Sequence, residues 1–128
     1  MAIITGLNTN TLIPEKYANN NKWTKEEIIG FIERGGKMVL CDLIAGTGED
    51  GNPFVVAVMK PHVGTGVDYV TCSIPSTDAD TFKGYLDNEV DIGEIRGEKY
   101  IIIFKEVERK NPSKYGRTYF RAYLENNE

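Results

Sequence analysis

Apolar and polar positions alternate between two periods along this chain. Residues 1–22 are polar and Asn-rich (Asn8, Asn10, Asn19, Asn20, Asn21) and predict an irregular arm with one short strand at Ile3-Ile4. A helix start follows. Thr24 and Glu27 form a Thr-x-x-Glu capping box, Trp23 and Ile28 fit a hydrophobic staple, and Ile28, Ile29 and Ile32 form a helical stripe with Phe31 beside it. Gly35-Gly36 ends the helix, because Gly accepts the left-handed cap conformation. The period then becomes that of strands, predicted at 38–44, 54–59 and 69–74. The first two are joined by the Gly-rich turn 46–51 as an antiparallel hairpin, and the second and third by the loop 61–66. In the third, Val70, Cys72 and Ile74 share one face and Tyr69, Thr71 and Ser73 the other, and Pro75 stops it.

Thr77 opens a second helix reaching Leu86, with Phe82, Tyr85 and Leu86 toward a core; Gly84 keeps it short. Residues 87–97 read as an acidic loop that could contain part of a strand over 90–95. Residues 99–107, with Ile101-Ile102-Ile103-Phe104, predict a fourth strand, 110–116 a turn, and 117–124 a fifth strand. The last four residues read as a frayed tail.

The length of 128 residues suits one domain, and 41% hydrophobic with 27% charged residues is the balance of an ordinary soluble protein. No apolar run approaches the roughly 20 residues of a membrane helix, and the start lacks the basic region of a secretory signal. Cys41 and Cys72 sit in apolar segments and read as reduced core residues, which points to the cytoplasm and to no membrane partner.

The net charge of −4 argues against a polyanionic partner only if it is evenly spread, and it is not. Residues 99–123 hold seven basic and two acidic residues, a net of +5; the remainder holds eight basic and seventeen acidic, a net of −9. The last strand concentrates the chemistry. Arg117, Tyr119, Arg121 and Tyr123 fall on one face, and Thr118, Phe120, Ala122 and Leu124 on the other, where they would fill an interior. Cations interleaved with rings suit single-stranded nucleic acid: bases stack on aromatic faces while Arg and Lys follow the phosphates. Lys105, Lys110, Lys114 and Tyr115 would form an electrostatic rim, and Tyr69 and Tyr100 would extend the platform.

Catalytic and metal readings are weaker. His62, the only histidine, and Cys72 could pair, but Cys72 alternates with core residues and reads as an inert thiol. Two separated Cys and one His lack the short paired spacings of a zinc site. Asp87, Glu89, Asp91 and Glu98 match a calcium loop loosely, but Ile92 stands where the turn needs Gly. Gly46-Thr-Gly48 and Gly64-Thr-Gly66 do not continue as phosphate-binding loops. The expectation is therefore no enzyme, no cofactor and no metal.

Three strands, a short helix and two strands, over residues 37–124, resemble the oligonucleotide/oligosaccharide-binding (OB) fold, a mainly β (α+β) architecture. The resemblance implies a five-stranded OB-like Greek-key barrel with the helix from Thr77 plugging one end and the loop between strands four and five as a binding element. Residues 1–36 would be an added arm and helix packed on the barrel, and 125–128 a tail. Trp23 and Phe31 have two readings, packing on the barrel or contact with a partner or a second copy in a homo-oligomer. The implied function is sequence-nonspecific binding of single-stranded DNA, or RNA, accessory to replication, recombination or DNA transfer of phage or plasmid type. The chain ends Leu124-Glu-Asn-Asn-Glu128, without the terminal apolar residue by which bacterial single-stranded-DNA-binding proteins recruit partners. The alternative is a protein-interaction module or nucleic-acid mimic using residues 87–98 with Asp42, Glu49 and Asp50.

Overall fold

The computed structural model describes residues 2–4, 12–14, 17, 20–48, 51–62, 69–113 and 116–127. The arm contains more order than expected. β1 (Ala2–Ile4) pairs antiparallel with β2 (Leu12–Pro14), and β3 (Asn20–Lys22) joins the main sheet. The capping box forms: Thr24 Oγ1 accepts from Glu27 N–H and Glu27 Oε1 from Thr24 N–H, each at 3.1 Å, opening α1 (Lys25–Glu33). Gly35 takes φ +91° at its end. At Gly36 a Cβ would lie 2.4 Å from the Phe31 ring, so only Gly lets that ring fold across the exit.

β4 (Met38–Thr47) is buried without interruption from Met38 to Ile44 because both faces of the sheet are covered there. A bulge between Leu40 and Asp42 shifts its register against β5 (Pro53–Pro61). β6 (Tyr69–Ser73) pairs with β5, and its two faces are those the alternation predicts. A 3₁₀ turn (Ser76–Asp78) then leads into α2 (Ala79–Asp87).

The acidic stretch is a helix, α3 (Glu89–Arg96), and not a loop with a strand. Asn88 Oδ1 caps it, accepting from Val90 and Asp91 N–H at 3.0 and 3.1 Å, and Ile92 and Ile95 bury against the sheet. Val90 and Ile92 alternate with acids as a strand would; Glu94 and Ile95 break that alternation.

β7 (Tyr100–Ser113) and β8 (Gly116–Asn126) are longer than expected, and 110–113 and Gly116, expected in a turn, are strand. A register shift between Glu108 and Ser113 accommodates Asn111-Pro112, since Pro cannot donate to a regular ladder. Where a frayed tail from 125 was expected, Asn127 is tied down: its N–H donates to Lys99 O at 2.8 Å and its Nδ2 to Glu98 O at 3.0 Å.

The main sheet runs β3-β6-β5-β4-β7-β8. Strands β4 to β7 stand in the Greek-key order 4-1-2-3, with β8 beyond β7. The sheet has six strands and is not closed, where five and a barrel were expected. Its edge groups are satisfied otherwise. β3 pairs in parallel with β6 from Asn20↔Tyr69 to Lys22↔Thr71. On β8, Phe120 O accepts from Thr77 Oγ1 at 3.0 Å, and Ala122 N–H donates to Asp78 Oδ2 at 2.9 Å. The connection between β6 and α2 thus holds backbone groups of β8 that a neighbouring strand would otherwise take.

The three helices cover one face. Ile28, Phe82, Ile92 and Ile95 pack there on Met38, Leu40, Leu43, Ile102, Phe104 and Ala122, with Trp23 and Phe31 against the same cluster. A smaller cluster on the other face gathers Tyr17, Cys41, Ile44 and Val58. Tyr17 Oη donates at 3.0 Å to Asp42, itself 3% exposed, which also accepts from Leu43 N–H at 2.8 Å and Arg96 Nε at 3.1 Å. Asp42, one of the residues named for the interaction-module reading, is therefore buried and paired inside the fold; Glu49 and Asp50 lie outside the described residues.

Burial, reinforced by Asp42, pushes the Tyr17 phenol well above its ordinary value near 10. Above pH 10 the unfolded chain loses that proton first while the folded state retains it, so stability falls as pH rises. The Tyr17 contribution is expected to reach at most about 1.4 kcal/mol per pH unit. The Lys60 ammonium, raised by its 2.8 Å contact with Glu98, is lost over the same alkaline range, so chemical denaturation at pH 9 to 11 is compared with Tyr17→Phe. An equal alkaline slope in both proteins would show that Tyr17 does not carry it.

Candidate nucleic-acid interface

β7 and β8 pair so that Lys105 faces Arg121, Val107 faces Tyr119 and Ile103 faces Tyr123. On this side of the ribbon Lys105 Nζ lies 5.7 Å and the Arg121 guanidinium 5.4 Å from the Tyr123 ring centre, and the Arg109 guanidinium 5.2 Å from that of Tyr119. Glu106 and Glu108 alternate to the other side, where Glu106 Oε2 accepts from Thr118 Oγ1 at 2.7 Å. Glu106 and Glu108 thus lie across the ribbon from Lys105, Arg109 and the two rings, while Glu125, at the far end of β8, shares the side of Arg121 and Tyr123.

Arg109 was missing from the expected set, although its parity with Lys105 places it there. Its Nε is the buried side-chain N or O atom without a hydrogen-bond partner among the described residues. Leaving such a donor unmet costs about 1–3 kcal/mol.

The other expected residues divide. Arg117 is exposed and Tyr123 is 38% exposed. Arg121 is not a free cation: its Nε donates at 2.9 and 3.1 Å to the buried carboxylate of Asp78, and this bond raises the pKa of the Arg121 guanidinium. Lys110 is exposed, beyond the last regular β7–β8 pair; Lys114 and Tyr115 lie outside the described residues. Tyr69 packs edge-on against Tyr17 at 4.8 Å, with three strands between its own and β8 in the sheet order. Tyr100 packs with the helix-covered core and donates to Glu94 Oε2 at 3.1 Å, a bond that pushes its phenol pKa up. Phe120, expected inside with Ala122 and Leu124, is half-buried and outside the core cluster, because β8 there meets the 3₁₀ turn rather than another strand.

Phe120 instead lines an open cleft of ≈1180 Å³. Phe54 and Val56 of β5 and Thr71 and Ser73 of β6 line it on the sheet face away from the helices; Gly48 and Asn52 of the β4–β5 turn, Arg109 and Tyr119 of the β7–β8 ribbon, and the segment around Trp23 also border it. The volume exceeds the roughly 300–1,000 Å³ of an enclosed small-molecule site. Its charged lining is Lys22, Lys25 and Arg109 against Glu26 and Asp80. Cys72 borders it with 7% exposure, and burial pushes its thiol up, away from the reactive thiolate. Among the described residues no three His, Cys, Asp or Glu side chains gather as metal ligands, and no helix is long and apolar enough to cross a membrane.

No protein-family model matches the chain, and neither a curated protein nor a solved structure matches it.

Proposed function

We propose that this protein binds single-stranded DNA without strong sequence preference and without catalysing a reaction. The carrying observation is the Arg109–Tyr119 pair, a guanidinium 5.2 Å from a tyrosine ring, on the wall of an open cleft. It joins a stacking surface to a phosphate donor, and the row Lys105, Arg117 and Tyr123 continues both chemistries along the ribbon. The OB reading is supported by the Greek-key order with α2 and α3 between β6 and β7. It is supported also by the position of the cleft: OB ligands occupy the face of the second and third strands between the 1–2 and 4–5 loops, here β5 and β6 between the β4–β5 turn and the β7–β8 hairpin.

Fluorescence anisotropy of a labelled oligothymidine across a salt series tests the reading. Binding is expected at low salt, weakening steeply as salt rises, because each phosphate contact releases counterions. Arg117→Ala is expected to lower the log–log salt slope by about 0.7, the share of one single-strand phosphate contact. No binding at low salt would overturn the proposal.

A further inference from the structure

The segment ahead of the Greek key borders the cleft opposite the β7–β8 ribbon. Its position is built in by several bonds. β3 pairs with β6, Trp23 N–H donates to Thr71 O at 3.1 Å, Thr71 Oγ1 donates to Asn20 Oδ1 at 3.0 Å, and Lys25 Nζ donates to Ser73 Oγ at 3.1 Å. Lys22 stands opposite Thr71 in the parallel register, on the strand pair that lines the cleft. The Trp23 indole is half-buried, edge-on to Phe31 at 5.8 Å, and contributes to the cleft lining. The backbone of this segment is therefore held in place, and Lys22, Lys25 and the Trp23 ring border the same cleft as Arg109 and Tyr119.

We infer that residues 20–26 are a second jaw of the binding site, with Trp23 taking a base and Lys22 and Lys25 taking backbone phosphates of the strand that Arg109 and Tyr119 grip from the other side. This rests on the single-stranded-DNA reading and gives the added segment a role beyond capping the edge of β6. Both walls are held before binding, so little ordering entropy is lost when the strand enters. Glu26, inside the same jaw, and Asp80 also border the cleft and repel phosphate, which weakens the hold of the neighbouring lysines.

Trp23 is the only tryptophan, so its emission reports on this wall alone. Oligothymidine is titrated into the full chain with anisotropy and Trp emission read together, and again into Lys22→Ala/Lys25→Ala. The expected result is quenching of Trp23 in step with the anisotropy, and a salt slope lower by about 1.4 in the double variant, two contacts' worth. Glu26→Gln is expected to bind about twofold tighter or better at low salt, opposite in sign to the lysine changes. Anisotropy that rises while Trp23 emission stays unmoved overturns the jaw and leaves the ribbon reading standing. A slope unaltered in the double variant does the same. Absence of any anisotropy change in the unaltered protein overturns both.

Discussion

Replacing Tyr119 and Tyr123 together by Ala is expected to weaken oligothymidine binding by at least roughly 30-fold at fixed salt. Each base stacked on an aromatic ring contributes about 1–3 kcal/mol, and about 1.4 kcal/mol is a factor of ten. The two rings stand on the same side of β8 as Lys105 and Arg109, outside the helix-covered core, so the variant should keep its fold. The salt slope should hold nearly constant, since no cation is removed; affinity falls at every salt concentration. Tyr100→Ala is the control, because Tyr100 lies with the helices and bonds Glu94. Unchanged affinity in the double variant, or an equal loss in Tyr100→Ala, would place the site elsewhere.

Phe82→Ala should be among the most damaging single changes to stability. Phe82 is 2% exposed in the main cluster, with Tyr85 edge-on at 5.4 Å, and it anchors α2 between the 3₁₀ turn and α3. Removing a buried Phe leaves a cavity as well as losing its transfer energy, together about 3–5 kcal/mol. Whole domains are stable by only about 5–15 kcal/mol, so denaturant and thermal midpoints should both drop sharply. Leu86→Ala, on the same helix but partly exposed, should cost clearly less. A loss below about 1 kcal/mol for Phe82→Ala would mean that α2 is not seated on the sheet as described.

How much of this was legible in the chain depends on whether the signal was local. The capping box at Thr24 and Glu27, the facing of β6, and the position of Ala122 in the core follow from spacing alone, and all appear. α3 was missed because a helix with two of its apolar residues, Val90 and Ile92, two apart imitates a strand; Asn88 with acids behind it was the usable cue. The platform on β8 was legible as a row of side chains. Its electrostatics were not. Nothing near Arg121 in the chain announces Asp78, 43 residues earlier, as its partner.

The sequence by itself determined α1, α2 and the central strands β4 to β8 in outline, the apolar side of β6, and that positive charge gathers in the last quarter of a chain with a net charge of −4. These are properties of neighbouring residues and periods of 2 and 3.6. Tertiary structure alone decided that β3 takes the edge of β6, that the 3₁₀ turn holds β8, and that the sheet therefore stays open. It also decided that Asp42 is buried and that Trp23 borders the same cleft as Arg109 and Tyr119, from opposite ends of the chain. The physical reason is the same in each case. Edge hydrogen bonds and buried charges are satisfied by whichever partner the packing brings near, and that partner is set by the path of the whole chain.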